Sequence, residues 1–399
     1  MEKLLKIIGT HDQNTIDQMK ACLEPDSAVS GVLCADGHLG YSQPVGGVVA
    51  YEGHVSVSGV GYDIACGNKA VKTNLKWSEI SKDHSKIADQ IQKDISFGVG
   101  KSSKKIVSHS LFEDSAWGIP AISGFKKLAE EQLSSCGTGN HYCDVFVDPR
   151  DNIWVGVHFG SRGLGHKTAS AFLELAGGKD GINEPPTLVS DSTSLGQDYI
   201  ACMNLAGKYA YAGRDYVCNY IVKNILKGEI LDEIHNHHNF AWKENHQGRD
   251  LWVVRKGATP AFPNQRGFIG GSMGGSSVII RGLDSPESKD SLYSTVHGAG
   301  RVMSRTQAAG KKKWIFDSVL GKKIPKIVSE GLVNETSMRQ KIQNLGIELR
   351  GGGADEAPDV YRNLEEVLNF HAGTIAIETV LNPKIVVMAG SKEFDPYKD

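Results

Sequence analysis

Bursts of glycine between short apolar runs, repeated along the whole chain, constrain the fold more than any other feature. Glycine accounts for 46 of 399 residues, well above the usual ~7%. The runs between them are rich in Val and Ile and only a few residues long, which reads as buried strands joined by tight loops. Predicted strands are Val29–Cys34, Val45–Tyr51, His141–Val147, Ile153–Phe159, Leu251–Val254, Ser277–Arg281 and Lys384–Met388. Helical periodicity predicts helices over Gln13–Cys22, Phe125–Ser134, Ile200–Lys227, Asn334–Asn344 and Val360–Phe370. Tyr209, Tyr211, Tyr216 and Tyr220, all within the third helix, read as core packing. No repeat, low-complexity tract or long linker divides the chain. The expectation is an α/β (α+β-like) fold, with residues 1–399 forming one large interwoven domain of mixed sheets and surrounding helices.

Composition narrows the class. With 40% apolar and 23% charged residues, the chain is neither disordered, collagen-like nor a coiled coil. Its apolar runs are too short to cross a bilayer, and its opening residues lack a secretory pattern, so a cytoplasmic enzyme with no membrane partner is expected. Lys and Arg total 44 against 46 Asp and Glu, a formal charge of −2. That excludes a wholly basic nucleic-acid coat and leaves room for a local basic groove. The richest basic stretch runs from Arg301 to Lys326, and a shorter one covers Lys101–Lys105. Either is a solvated face or a track for a phosphate backbone. The seven cysteines are odd in number and irregularly spaced, with no CxxC pair, which argues against both a disulfide framework and a zinc ribbon.

Five constellations carry chemistry. In Gly61-Tyr62-Asp63-Ile64-Ala65-Cys66-Gly67, a carboxylate and a thiol three residues apart suit one cation of the Mn²⁺, Zn²⁺ or Fe²⁺ type. The turn Asp148-Pro149-Arg150-Asp151-Asn152 predicts a hairpin that sets His141 and His158 roughly opposite each other at its open end. Gly137-Thr138-Gly139-Asn140 before that hairpin, and Gly160-Ser161-Arg162-Gly163 after it, suit an anion approached by backbone N–H groups and a guanidinium. His235 and His238, read on a helix, share a face. Finally, Arg255-Lys256-Gly257, Gly270-Gly271-Ser272-Met273-Gly274 and His297-Gly298-Ala299-Gly300-Arg301 place a histidine among glycines with cations near. Histidine is a competent nucleophile toward phosphorus, and arginine stabilises the charge that develops. Asp355-Glu356-Ala357-Pro358, followed by Tyr361, reads as a helix start.

Taken in order, Asp-x-x-Cys-Gly, Gly-Asn-His, His-x-Gly-Ser-Arg-Gly, His-Asn, Arg-Lys-Gly-Ala-Thr, Gly-Ser-Met-Gly and His-Gly-Ala-Gly-Arg resemble the RtcB family of RNA-splicing and RNA-repair ligases. The resemblance extends from Asp36-Gly37-His38 to Asp355-Glu356-Ala357-Pro358. It implies the RtcB fold and an enzyme that uses GTP and two Mn²⁺ ions. Such an enzyme joins RNA ending in a 3′-phosphate or 2′,3′-cyclic phosphate to RNA with a 5′-hydroxyl; some relatives use an activating protein, archease. It also implies Asp63, Cys66, His141, His158 and His238 as metal ligands, with Cys66 bridging, and His297 as the residue that becomes guanylylated. Asn140, Asp144, Ser272, Ala299, Gly300 and Tyr361 then fall to the nucleotide, and Arg162, Lys256 and Arg301 to phosphates. Two positions depart from the family pattern: Asp144 stands where Glu is usual, and Ala389 where a C-terminal Lys is usual, with Lys392 the nearest substitute. These departures keep open a second reading, a metal-dependent phosphoesterase acting on cyclic phosphates. A third is an RNA-end adaptor without catalysis.

Overall fold

The computed structural model describes residues 3–179, 181–318, 321–391 and 393. Two sheets carry the architecture. The first has five strands in the order Leu4–Ile7, Ala28–His38, Val45–Tyr51, Arg249–Lys256, Asn239–His246. The second runs Ile230–His237, Gly67–Lys76, Asn152–His158, Tyr142–Val147, Ile375–Gly390, Ser277–Gly282, Arg266–Ile269. Glu348–Gly352 adds to it in parallel along the end of Ile375–Gly390.

The strands are apolar on both sides because both faces of each sheet are covered. On the first sheet Leu33, Val49, Tyr51 and Val254 point to a helical layer, while Val32, Val48, Ala50 and Val253 point to Ile269, Val278 and Ile280 of the second sheet. On the second sheet Val145, Val155 and Val157 pack on Ile87, Ile91 and Val217. Phe146, Trp154 and Phe268 face Met338, Ile342 and Ile347. The alternation follows the two-residue period of a pleated strand.

The predicted strands form with small shifts at their ends, except that Lys384–Met388 is the end of a much longer strand, Ile375–Gly390. Its first half pairs with Ser277–Gly282 and its second half with Tyr142–Val147, so its length is set by two partners. The long helix begins earlier than predicted, at Ser194, where the Thr193 side chain accepts from the Gly196 N–H. It ends in a π turn over Ile221–Leu226, closed by Lys227 in the left-handed region. The predicted helix Val360–Phe370 is confined to Leu364–Asn369, where Asn363 caps its first turn. All seven cysteines are free and buried. Among the described residues no helix is long and apolar enough to cross a membrane.

Candidate active site

The hairpin forms as predicted, Tyr142–Val147 against Asn152–His158, but Tyr142 is the residue opposite His158. His141 sits one position before the strand, and the two imidazoles still meet, with ring centroids 5.3 Å apart. Glycine permits the crowding: a side chain at Gly160 would run into the Asp63 carboxylate, and one at Gly137 into His141 and Arg162. The Asp63–Cys66 loop closes on itself through Cys66 N–H to Asp63 O at 2.9 Å. Ala65 there takes a positive φ of 61°, which turns both side chains inward.

His235 and His238 do not share a helix. Ile230–His237 is an edge strand paired with Gly67–Lys76, and the chain turns at His238 into the strand Asn239–His246. The three histidines therefore divide: His238 enters the site, while His235 and His237 point beneath it at Arg214. That guanidinium, fully buried on the long helix, donates to His235 Nε2 at 2.8 Å and His237 Nδ1 at 2.9 Å. It also donates to Ala65 O at 3.0 Å and Phe159 O at 2.6 Å. Arginine has only donors, so both ring nitrogens accept. Arg214 thus ties together the three backbone segments that carry Asp63 and Cys66, His158, and His238.

Five side chains converge above it. Cys66 Sγ lies 3.2 Å from His158 Nε2 and 3.6 Å from His141 Nε2. His141 Nε2 reaches Asp63 Oδ2 at 3.1 Å, and His158 Nε2 faces His238 Nε2 at 3.3 Å. His158 Nδ1 lies 3.1 Å from the Asn140 carbonyl. A carbonyl only accepts, so the proton sits on Nδ1 and the Nε2 lone pair points at Cys66 and His238. Among the described residues His238 Nδ1 is buried without a hydrogen-bond partner. Lone pairs from carboxylate, thiol and imidazoles aimed at one another form a donor set that fits a borderline divalent cation. Cys66 is common to two groups, Asp63–His141 and His158–His238.

Electrostatics match this arrangement. Burial works to raise the Asp63 carboxyl, but His141, Cys66 and Arg162 outweigh it and hold it down at about 2. Burial, then the neighbouring Asp63, pushes the Cys66 thiol well up. Burial, then neighbouring imidazoles, keeps His158 and His238 neutral.

His297 stands beside this cluster, its ring 4.9 Å from that of His238. Its Nδ1 lies 2.7 Å from Asp36 Oδ2, and its backbone N–H donates to the same oxygen at 3.0 Å. Asp36 is fully buried. Burial favours its acid form, but the charge and hydrogen bonds of His297 prevail and hold the carboxyl below its ordinary range. Asp36, as a carboxylate, therefore accepts a hydrogen bond from the Nδ1–H and leaves Nε2 as the nitrogen with a lone pair. The motif Asp36-Gly37-His38 was visible in the sequence, but nothing local tied it to His297.

A cavity of about 270 Å³ unites these groups. Every candidate except Arg162 lines it: Asp63, Cys66, Asn140, His141, Asp144, His158, His238, Lys256, Ser272, His297, Ala299, Gly300, Arg301 and Tyr361. Arg162 lines a neighbouring cavity of about 740 Å³, which shares Asp63, Asn140, His141 and Arg305 with the first. Asp355-Glu356 is a short 3₁₀ turn, not a helix start. Its Glu356, 3% exposed, binds Arg301 at 3.3 Å and Arg305 at 3.0 Å and also contacts the Tyr361 hydroxyl. That anchor was missed because its partners lie some fifty residues away in sequence. Asp144 accepts from the Val387 N–H at 3.2 Å, and burial raises its carboxyl well above the usual range. At the strand end, Val386 and Met388 face the cavity, while Ala389 is buried. Lys392 lies outside the described residues.

A family profile described as tRNA-splicing ligase RtcB matches residues 21–127 and 120–389, most of both sheets. The chain belongs to the RtcB family. It is 31% identical to the RNA-splicing ligase RtcB of Escherichia coli K12 over 311 residues, which covers 68% of this chain and 74% of that one. It is also similar to the RtcB tRNA-splicing ligases of Thermococcus kodakarensis, 28% identical with 86% and 84% covered, and Archaeoglobus fulgidus, 28% identical with 96% and 92% covered. The RtcB match encloses every candidate named above.

Proposed function

We propose that this chain is a GTP-dependent RNA ligase. It joins a 3′-phosphate or 2′,3′-cyclic phosphate end to a 5′-hydroxyl end, in RNA repair or tRNA splicing. The observation that carries the reading is the placement of His297: Nδ1 is fixed on buried Asp36, and the ring abuts a five-residue donor cluster in one cavity. Asp63, Cys66, His141, His158 and His238 are the residues that would hold the two Mn²⁺ ions this reading calls for. When bound, the ions neutralise charge on phosphate oxygens.

His297 Nε2 attacks the α-phosphorus of GTP. An N–P bond forms, the α–β phosphoanhydride bond breaks, and pyrophosphate leaves. The RNA 3′-phosphate then takes the GMP from Nε2, which converts a poor leaving group into a good one. The 5′-hydroxyl, losing its proton, attacks the 3′-phosphorus and expels GMP. Arg301, pre-oriented by Glu356 and the Asp355 carbonyl, and Lys256 offset phosphate charge inside the cavity. Arg162 does so on the side of the larger one. Asn140, Ser272, Ala299, Gly300 and Tyr361 cradle the nucleotide, and Asp144 faces its base.

The test is incubation with α-labelled GTP and Mn²⁺, followed by denaturation and a gel, with ATP as control. Wild type takes up label from GTP and His297→Ala does not; ligation surviving in His297→Ala refutes the mechanism. The raised Asp144 carboxyl and the lack of a lysine at the Ala389 strand end favour one second reading. If Mn²⁺ binds and no label appears, the chain is a phosphoesterase that opens cyclic phosphates without ligating them.

A further inference from the structure

A hairpin at the rim of the site has no role in the reaction described. Strands Lys311–Asp317 and Lys322–Ser329 pair antiparallel, with Lys313 opposite Lys326 and Ile315 opposite Ile324. Among the described residues they pair with no other strand. A two-stranded ribbon with no third layer has no interior of its own. This one nevertheless displays Phe316 at 67% exposure and Val328 at 59%. Lys311, Lys313 and Lys326 are exposed beside them. In the sequence, residues 311–329 hold six lysines against one carboxylate, Asp317, in a chain whose total charge is only −2.

The root of the hairpin is fixed beside the cavities. Helix Arg305–Ala309 leads into it, and the chain just past the returning strand is clamped back on that helix. Leu332 N–H donates to Gln307 O at 2.9 Å and Val333 N–H to Ala308 O at 3.0 Å. Arg305, the first residue of the helix, lines both cavities. The helix is about 7 Å long, and each strand extends roughly 25 Å beyond it.

We propose that this hairpin is an RNA-docking arm that grips the strand carrying the broken end as it enters the cavities. The proposal rests on the ligase reading. The lysines neutralise backbone phosphates, and Phe316 offers a face on which an unpaired base stacks. A strand of this length runs alongside about seven phosphates at helical spacing. A second copy of the chain does not fit the arm, because two strongly cationic ribbons repel. An anionic lipid surface satisfies the charge but has no reason to meet the arm at the mouth of a phosphate-handling site.

The experiment is fluorescence anisotropy of a single-stranded RNA with 3′- and 5′-hydroxyl ends, without GTP or metal, across a salt series. The triple variant Lys311→Ser, Lys313→Ser, Lys326→Ser weakens binding about tenfold and makes the log–log salt slope shallower by about 2. Phe316→Ser weakens binding about five- to a hundredfold and leaves the slope unchanged. In ligation, both raise KM for RNA more than they lower kcat, and both keep wild-type labelling by GTP. Unchanged RNA affinity in both variants overturns the arm. So does RNA binding that is retained while binding to phosphatidylserine vesicles is lost. If wild type itself binds no RNA, the ligase reading fails and takes the arm with it. If wild type binds and the variants match it, the arm alone fails.

Discussion

Arg214 offers the sharpest test of how the site is held. It is fully buried, and burial draws its guanidinium down to about 10. Among the described residues no carboxylate touches it, and its four hydrogen bonds there go to Ala65 O, Phe159 O, His235 Nε2 and His237 Nδ1. Arg214→Met keeps much of the volume and removes all four donors. An acceptor left buried and unpaired costs ~1 kcal/mol or more, so the gross loss is about 4 kcal/mol. Releasing a buried cation recovers part of this, and a net loss of about 3 kcal/mol is expected. The larger consequence is positional, because the guanidinium joins the segments that carry Asp63 and Cys66, His158, and His238. Groups that orient metal ligands typically set affinity by about 10- to 100-fold. Arg214→Met is therefore expected to lower Mn²⁺ affinity by that factor at a temperature where the variant remains folded. Arg214→Lys, which lacks the planar fork, should recover stability more than affinity. Metal titration by calorimetry, with thermal melts of the metal-free proteins alongside, separates the two effects. Mn²⁺ affinity within threefold of wild type in Arg214→Met would refute the anchoring argument.

Two further outcomes follow from the geometry. Asp36→Asn keeps the shape around His297 but loses the charge that fixes its tautomer; labelling by GTP should slow on the order of a hundredfold or more, and a rate within threefold of wild type contradicts the assignment. Acid should also destabilise the metal-free protein below about pH 6.5. Burial pushes His38 and His371 down to about 4, whereas an unfolded histidine titrates near 6.5. Across that window the unfolded chain binds protons that the folded chain refuses, so stability falls as pH drops from about 6.5 to about 4. Melting temperatures in EDTA that stay flat from pH 7 to 4.5 exclude this linkage.

Local pattern was enough for much of the fold. Val45–Tyr51 forms over its predicted residues, and the Asp148–Asn152 turn closes the predicted hairpin. Short Val-rich runs and turn formers carry their conformation within a few residues. The edge strand Ile230–His237 was not legible that way, because its strand character comes from pairing with Gly67–Lys76, far away in the chain. The same holds for the predicted helix that shrank to Leu364–Asn369 and the predicted strand that grew to Ile375–Gly390.

The site divides along the same line. The sequence by itself determined which side chains are available for chemistry, because loops such as Asp63–Cys66 and His297–Arg301 are contiguous and their glycines mark close approach. Only the tertiary structure decided which of them meet. Asp36 and His297 are 261 positions apart, and Arg214 reaches Ala65 across 149. It also decided that His238 enters the cavity while His235 and His237 turn beneath it. The physical reason is that such pairings are fixed by sheet order and by the need to satisfy every buried donor and acceptor, and neither is written in any one stretch of the chain.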